Sequence, residues 1–302
     1  MELDYFVVDV FTDTALKGNP LAVVMNTANL STEQMQTIAR EFNLSETTFI
    51  ERRAAAVELA EGVRVRIFTT QEELNFAGHP TLGTASILKL NAPETVHDDT
   101  VTLAENVGAV PVRFSGEGLY GEMTQRDPEF GAEMDRAEVA RLIGLEVDDL
   151  DPALPPQPVS TGTAFAIVAL RSAAALARLN VNQPLATAWL RGRGARWFYV
   201  LGPVENQAAQ QYDAGKHVEW RARMQFYGGE DPATGSAAGC AISYLVGHGT
   251  VASGATVHLL QGVEIGRPSD LFLSAHKDSA RVTDVRVAGS TVLVAKGTLF
   301  LE

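Results

Sequence analysis

The stretch "GGEDPATGSAAGC", Gly228 to Cys240, sets two carboxylates, Glu230 and Asp231, before a proline and a run of small residues that opens an apolar helical pattern. An earlier stretch, "PTLGTA" (Pro80 to Ala85), echoes its "ATGSAA" (Ala233 to Ala238) in the same strand–turn–helix setting. Working outward from each, the same order recurs: a capped helix, strands, the small-residue turn, a helix. The first round has "STEQMQTIAREF", with Ser31 and Gln34 at capping-box spacing, and the alternating strands "ETTFIERR" and "GVRVRIFTT". The second has "DRAEVARLIGL", with Asp135 and Glu138 at that spacing, and the strands "AFAIVAL" and "RWFYVLG". The pattern predicts two related α+β lobes, each presenting one helix N-terminus from a small-residue turn.

A helix N-terminus leaves its first N–H groups without intrahelical partners and carries about half a positive charge. Two such ends could hold a carboxylate without Lys or Arg. Gly78, Gly83, Gly235 and Ser236 are small enough for a ligand to approach the backbone, and small enough to let a helix pack closely on a sheet. On pattern alone both readings stand.

Composition narrows the field. The chain has 302 residues, 46% hydrophobic and 20% charged, with a formal charge of −13. That charge argues against nucleic acid, which needs clustered Lys and Arg. No apolar run approaches the roughly 18 residues of a membrane span. The start "MELDYFVVDVFTD" reads as a strand rather than a secretory signal. The single cysteine, Cys240, excludes an internal disulfide and a cysteine-based zinc site. The cytoplasm is the expectation.

Several chemistries fail on spacing. Gly235 is followed by Ser236 and Ala237, so no phosphate-loop Lys is present. No G-x-G-x-x-G follows the first strand. Ser236 is not in a G-x-S-x-G elbow, and there is no HExxH. Asp231 alone reads as a helix cap and His79 as a loop histidine. The other five (His97, His217, His248, His258 and His276) have no partner spacing.

Together, "DVFTDTALKGNPLAVV", "EFNLSETTFI", "FAGHPTLGTA", "EDPATGSAAG" and "QGVEIGRPS" make the chain resemble the PhzF-like phenazine-biosynthesis proteins, which share the diaminopimelate epimerase fold. The resemblance runs nearly the whole length. It implies two pseudo-symmetric lobes, each a curled mixed β-sheet around a central helix, with the active site in the cleft where the two helix N-termini converge. The lobes are expected at 1–120, completed by a strand at about 291–302, and at 121–290. It also implies a homodimer without cofactor or metal, acting on a small cyclic or amino-acid-like carboxylate by proton transfer.

Carried over by motif, the resemblance makes Glu46 the acid/base carboxylate, with His79 and Asp231 as polar groups that orient substrate and assist proton movement. Asn19, Gly78, Gly235 and Ser236 fall to substrate binding. From its residue type alone, Glu46 is an ordinary solvated acid at a strand start. Two departures stand out. "RMQFYGGEDP" (Arg223 to Pro232) is shorter than the family's usual loop, which helps to wall the substrate pocket. Ala77 stands where racemase relatives carry a cysteine, and with Cys240 the single cysteine a two-thiol racemase is excluded on residue count. The alternatives are a two-base epimerase using Glu46 and Asp231, and a non-catalytic metabolite-binding protein. Glu230 reads as a structural acid and Cys240 as helix packing.

Overall fold

A computed structural model describes residues 1–116, 118–204, 211–212, 216–226, 229–279 and 281–301. The main elements in chain order are β1 (Glu2–Val10), β2 (Asn19–Val24), α1 (Thr32–Phe42), β3 (Glu46–Glu51), α2 (Ala55–Glu61), β4 (Val63–Phe68), α3 (Gly78–Asn91), β5 (Thr100–Glu105), β6 (Gly108–Ser115) and β7 (Tyr120–Thr124). Then come α4 (Arg136–Ile143), β8 (Gln157–Ser160), β9 (Ala164–Ala169), α5 (Gln183–Arg191), β10 (Trp197–Pro203), β11 (Trp220–Arg223), α6 (Gly235–Gly247), β12 (Val257–Gln261), β13 (Ser269–Asp278) and β14 (Arg281–Phe300). They form two compact units, Met1–Thr124 with Ala288–Glu302, and Gln125–Val287. Glu117, near the lobe boundary expected at 120, lies outside the described residues, as does the side chain of His217.

Unit 1 is a mixed sheet that closes on itself. Pairing runs β1–β2 antiparallel, β2–β3 parallel, β3–β4 antiparallel, β4–β5 parallel, and β5–β6 and β6–β7 antiparallel. β14 pairs with both β7 and β1, completing a ring of eight strands. The sheet expected to curl is thus a closed barrel. Its interior holds α3, buried from Gly78 to Leu88. A helix apolar on every side is stable only when covered all round, and α3 touches strands on opposite sides of the ring. Thr48 Oγ1 meets Thr84 Oγ1 at 2.8 Å, and Ser86 Oγ meets Thr291 Oγ1 at 3.1 Å.

An eight-stranded ring is ordinarily filled by side chains alone, so a helix inside needs thinned contacts. A Cβ on Gly83 would stand 2.7 Å from Leu21 Cδ2 and 2.8 Å from Val10 Cγ2, and one on Gly121 would stand 2.6 Å from Leu82 Cδ1. Gly83 therefore serves close packing, not ligand approach.

Unit 2 repeats the alternation in an extended mixed sheet. Pairing runs β8–β9 antiparallel, β9–β10 parallel, β10–β11 antiparallel, β11–β12 parallel and β12–β13 antiparallel. α6, buried from Gly235 to Val246, lies against β8, β9 and β13. Elsewhere Val139, Leu142 and Ile143 of α4 and Ala186 and Leu190 of α5 share a core with Val168, Phe198 and Val200.

Helix starts follow local chemistry unevenly. Ser31 and Gln34 form the full reciprocal capping box of α1. At α4 only half of the expected box forms. Asp135 accepts from Glu138 N, while the Glu138 carboxylate turns to Arg141 at 2.8 Å. No helix among the described residues is long and apolar enough to cross a membrane.

Candidate active site

In unit 1, three sequence-selected side chains meet. Asn19 opens β2 beside β1, opposite Val10. Glu46 opens β3, between β2 and β4, and is buried. His79 is the second residue of α3 and only 2% exposed. It is a helix residue rather than the loop histidine of the plainer reading.

The ring nitrogens of His79 face different partners. Asn19 Nδ2 lies 3.1 Å from Nδ1. An amide NH₂ can only donate, so Nδ1 accepts and Nε2 carries the proton. Nε2 lies 3.5 Å from Glu46 Oε2, just outside an ordinary hydrogen bond. Burial drives the His79 pKa down to about 3, so the imidazole is neutral at any working pH. The result is a neutral N–H donor aimed at a buried carboxylate, with its tautomer set from behind by an amide. Gly78 is the first residue of α3, and its backbone belongs to the helix's unpaired N-terminal turn.

In unit 2, Asp231, Gly235 and Ser236 are brought together at the start of α6, all buried. Thr234, the N-cap, donates from Oγ1 to Asp231 Oδ2 at 2.7 Å. Behind them stands Gln261, which the sequence placed in a motif without a role. Its Nε2 donates to Asp231 O at 2.8 Å and to Thr234 Oγ1 at 3.0 Å. Its Oε1 accepts from Thr234 N at 3.1 Å and from Tyr199 Oη at 2.9 Å. Every polar atom of this amide is used, which fixes the Asp231–Thr234 turn. Gln125 supports the next turn, donating to Gly235 O at 2.9 Å and accepting from Thr161 Oγ1 at 2.6 Å.

Glu230 has a different task. Arg223 holds it with two bonds, Nε–Oε1 at 2.9 Å and Nη2–Oε2 at 2.5 Å, and spends Nη1 on Leu176 O at 2.6 Å. A planar fork on a buried carboxylate is strong and directional. Together with Asp231 N bonded to Met224 O, it fastens the approach to Asp231. The short segment "RMQFYGGEDP" pairs Gln225 with Glu230 and Phe226 with Gly229, and its tip, 227–228, lies outside the described residues.

Cys240 is buried in α6, with Thr161 Oγ1 at 3.6 Å, and burial pushes its thiol up to about 11. A thiol so far from ionisation is inert packing. Among the described residues no group of three or more His, Cys, Asp or Glu side chains is arranged to hold a metal.

Comparison with known proteins points one way. The family model described as phenazine biosynthesis-like protein matches residues 8–297. The trans-2,3-dihydro-3-hydroxyanthranilate isomerase of Pseudomonas chlororaphis is 35% identical over 98% of this chain and 99% of that one. The crystal structure of a PhzF-family phenazine biosynthesis protein from Bacillus anthracis superposes with a TM-score of 0.83 at 25% identity, covering 100% of both chains. A probable proline racemase from Agrobacterium radiobacter, at 10% identity and a TM-score of 0.63 over 99% of this chain and 93% of that one, shares the fold alone.

Proposed function

Because the chain belongs to the phenazine biosynthesis-like family and is an isomerase, we propose that it moves a proton between two carbons of a small cyclic carboxylate, with Glu46 as the carrier. The observation that supports this is the neutral His79 aimed at the buried Glu46 and held by Asn19. In this reading the Glu46 carboxylate takes a proton from one ring carbon as the C–H bond breaks. The electron pair moves through the adjoining double bond, and the carboxylic acid so formed returns the proton to a second carbon. His79 stays neutral throughout, with its Nε2–H facing Glu46 Oε2. The resulting enol tautomerises to a ketone.

In this proposal Gly78 in unit 1, and Gly235 and Ser236 in unit 2, serve substrate binding, and Asp231 orients polar groups. The isomerase relative acts on trans-2,3-dihydro-3-hydroxyanthranilate, and this chain takes a ligand of that class. Two pseudo-symmetric lobes of common origin belong to the same reading. The recurrence of antiparallel and parallel pairing from β1 to β6 and from β8 to β13 supports them. So do the matching places of α3 after β4 and α6 after β11. The proposal includes a cytoplasmic homodimer, which sedimentation of the purified protein tests.

The deciding experiment follows small cyclic carboxylates by proton NMR in deuterated water, with wild type and Glu46→Gln. Loss of general base catalysis is expected to slow turnover by roughly 10²–10⁴-fold. A Glu46→Gln protein that matches wild type sinks the mechanism. Partial retention of the original hydrogen in the product supports a single carrier over a two-base epimerase using Glu46 and Asp231.

A further inference from the structure

Glu105 is a buried acid that the proton shift does not use. It ends β5, whose inward side chains are Val101, Leu103 and Glu105, so its carboxyl enters the barrel where a hydrophobe is expected. It is 5% exposed, and its Oε2 has no hydrogen-bond partner among the described residues. Its Oε1 lies 2.6 Å from Thr81 Oγ1, one turn into α3. Thr81 Oγ1 also lies 2.7 Å from the carbonyl oxygen of Ala77, the N-cap residue of α3.

These two contacts count protons. A threonine hydroxyl has one to give, and a carbonyl oxygen has none. Both contacts are hydrogen bonds together only if Glu105 supplies the second proton. We propose that Glu105 stands as a neutral carboxylic acid that donates to Thr81, and that Thr81 in turn donates to Ala77 O, positioning the first turn of α3 and with it His79. The link to His79 rests on the catalytic reading above, whereas the protonation of Glu105 does not.

The surroundings agree. From β4, the charge of Arg64 acts on Glu105, and its guanidinium is engaged by Ala104 O at 3.1 Å and Asn106 Oδ1 at 2.6 Å. Arg66 is paired with Glu73, and Glu51 of β3 lies 4.0 Å from both arginines. On α2, Glu58 and Glu61 are held by Arg52 and Arg53. On β6, Arg113 sits at the far end, opposite Thr100. From α3 come the neutral His79 in the first turn, with Glu46 beyond it, and Lys89 in the last turn, bonded to Gly118 O at 2.9 Å. Burial outweighs Arg64 and pushes the Glu105 carboxyl up to about 8.

The sign follows. The folded value is raised, so the stabilisation is present in acid and is lost as pH rises through about 8. The test compares wild type, Glu105→Gln and Thr81→Val in thermal unfolding between about pH 4 and pH 9.5, across which the stabilisation drains, and in turnover between about pH 6 and pH 9.5, which brackets the folded-state ionisation. A glutamine N–H donates as the neutral acid does. Glu105→Gln is therefore expected to keep wild-type kcat at the acid end and to lose the wild-type fall in Tm and kcat at the alkaline end. Thr81→Val, which breaks the relay, is expected to lower kcat at every pH with KM little changed.

A folded Glu105→Gln that is inactive at the acid end overturns the proposal. So does one whose alkaline fall matches wild type. If the variants do not fold, infrared difference spectra of wild type decide. A protonated-carboxyl band at the acid end that disappears on raising the pH supports the proposal, and its absence at the acid end overturns it. Wild type that turns over nothing sinks the functional reading and leaves the unfolding and infrared results to judge Glu105.

Discussion

Nε2 of His79 faces Oε2 of Glu46 across 3.5 Å while Asn19 occupies the opposite ring nitrogen at 3.1 Å. The order of the three matters. The amide selects the tautomer, and the tautomer makes the imidazole a donor to the carboxylate. Burial keeps the imidazole from competing for the proton.

Asn19→Leu keeps side-chain bulk and removes the donor to His79 Nδ1. The ring is then free to take the other tautomer, with Nε2 bare toward Glu46. Loss of one buried hydrogen-bond partner is expected to destabilise by about 1–3 kcal/mol. Because Glu46 itself remains, kcat should fall less than in Glu46→Gln. Steady-state kinetics alongside urea titration separates the two effects, and unchanged kcat counts against the tautomer argument.

His79 also predicts an acid-side loss of stability. Its folded value of about 3 lies below the ordinary 6.5, so between them the unfolded chain binds the extra proton. Stability is intact above about 6.5 and drains as pH falls, by up to about 1.4 kcal/mol per pH unit from this group. In urea unfolding at neutral and mildly acid pH, His79→Gln should lose less stability than wild type over the same interval. Equal losses would show that His79 titrates normally.

The Arg223–Glu230 fork is nearly buried, with side chains 10% and 6% exposed. Removing one member leaves the other charged without its fork partner, at about 3–5 kcal/mol. Glu230→Gln and Arg223→Met should each show that loss in denaturant midpoint, and an apolar replacement of both should recover much of it. Additive losses in the double variant would deny that the pair is the cause.

Gly83→Ala tests the packing of α3 inside the barrel. The added methyl meets Leu21 and Val10 at 2.7 and 2.8 Å, and overpacking of this kind costs about 1–3 kcal/mol. A Tm equal to wild type would show that the ring can relax around it.

How much could be read beforehand differs by residue. α3 and α6 were legible because a glycine–proline or glycine–serine turn runs into an apolar stretch, and that pairing needs no tertiary knowledge. α1 was legible from its capping box. α2 and α5 were not assigned, since seven and nine residues give periodicity little room. The last strand was read at about 291–302 but begins at Arg281, where polar residues alternate too loosely to mark its start.

Closure of the ring was invisible, because pairing of β14 with β1 and β7 depends on residues far apart in sequence. Glu46 looked solvated on residue type alone, and its burial exists only once β2 and β4 flank it. Glu105 left a signal that went unused. The alternation of Thr100 to Glu105 puts it on the inward face with Val101 and Leu103, against the general rule that acids stay outside.

The eight-strand ring carries a consequence for biosynthesis. The part of its closing strand that pairs with β1, Thr291–Phe300 of β14, is encoded after all of unit 2, so a ribosome has made every residue of Gln125–Val287 before unit 1 can shut. Until then β1 and β7 are open edges able to pair with other chains. The nascent protein therefore finishes its second-made unit first, and its first-made unit waits, vulnerable, for the last strand to arrive.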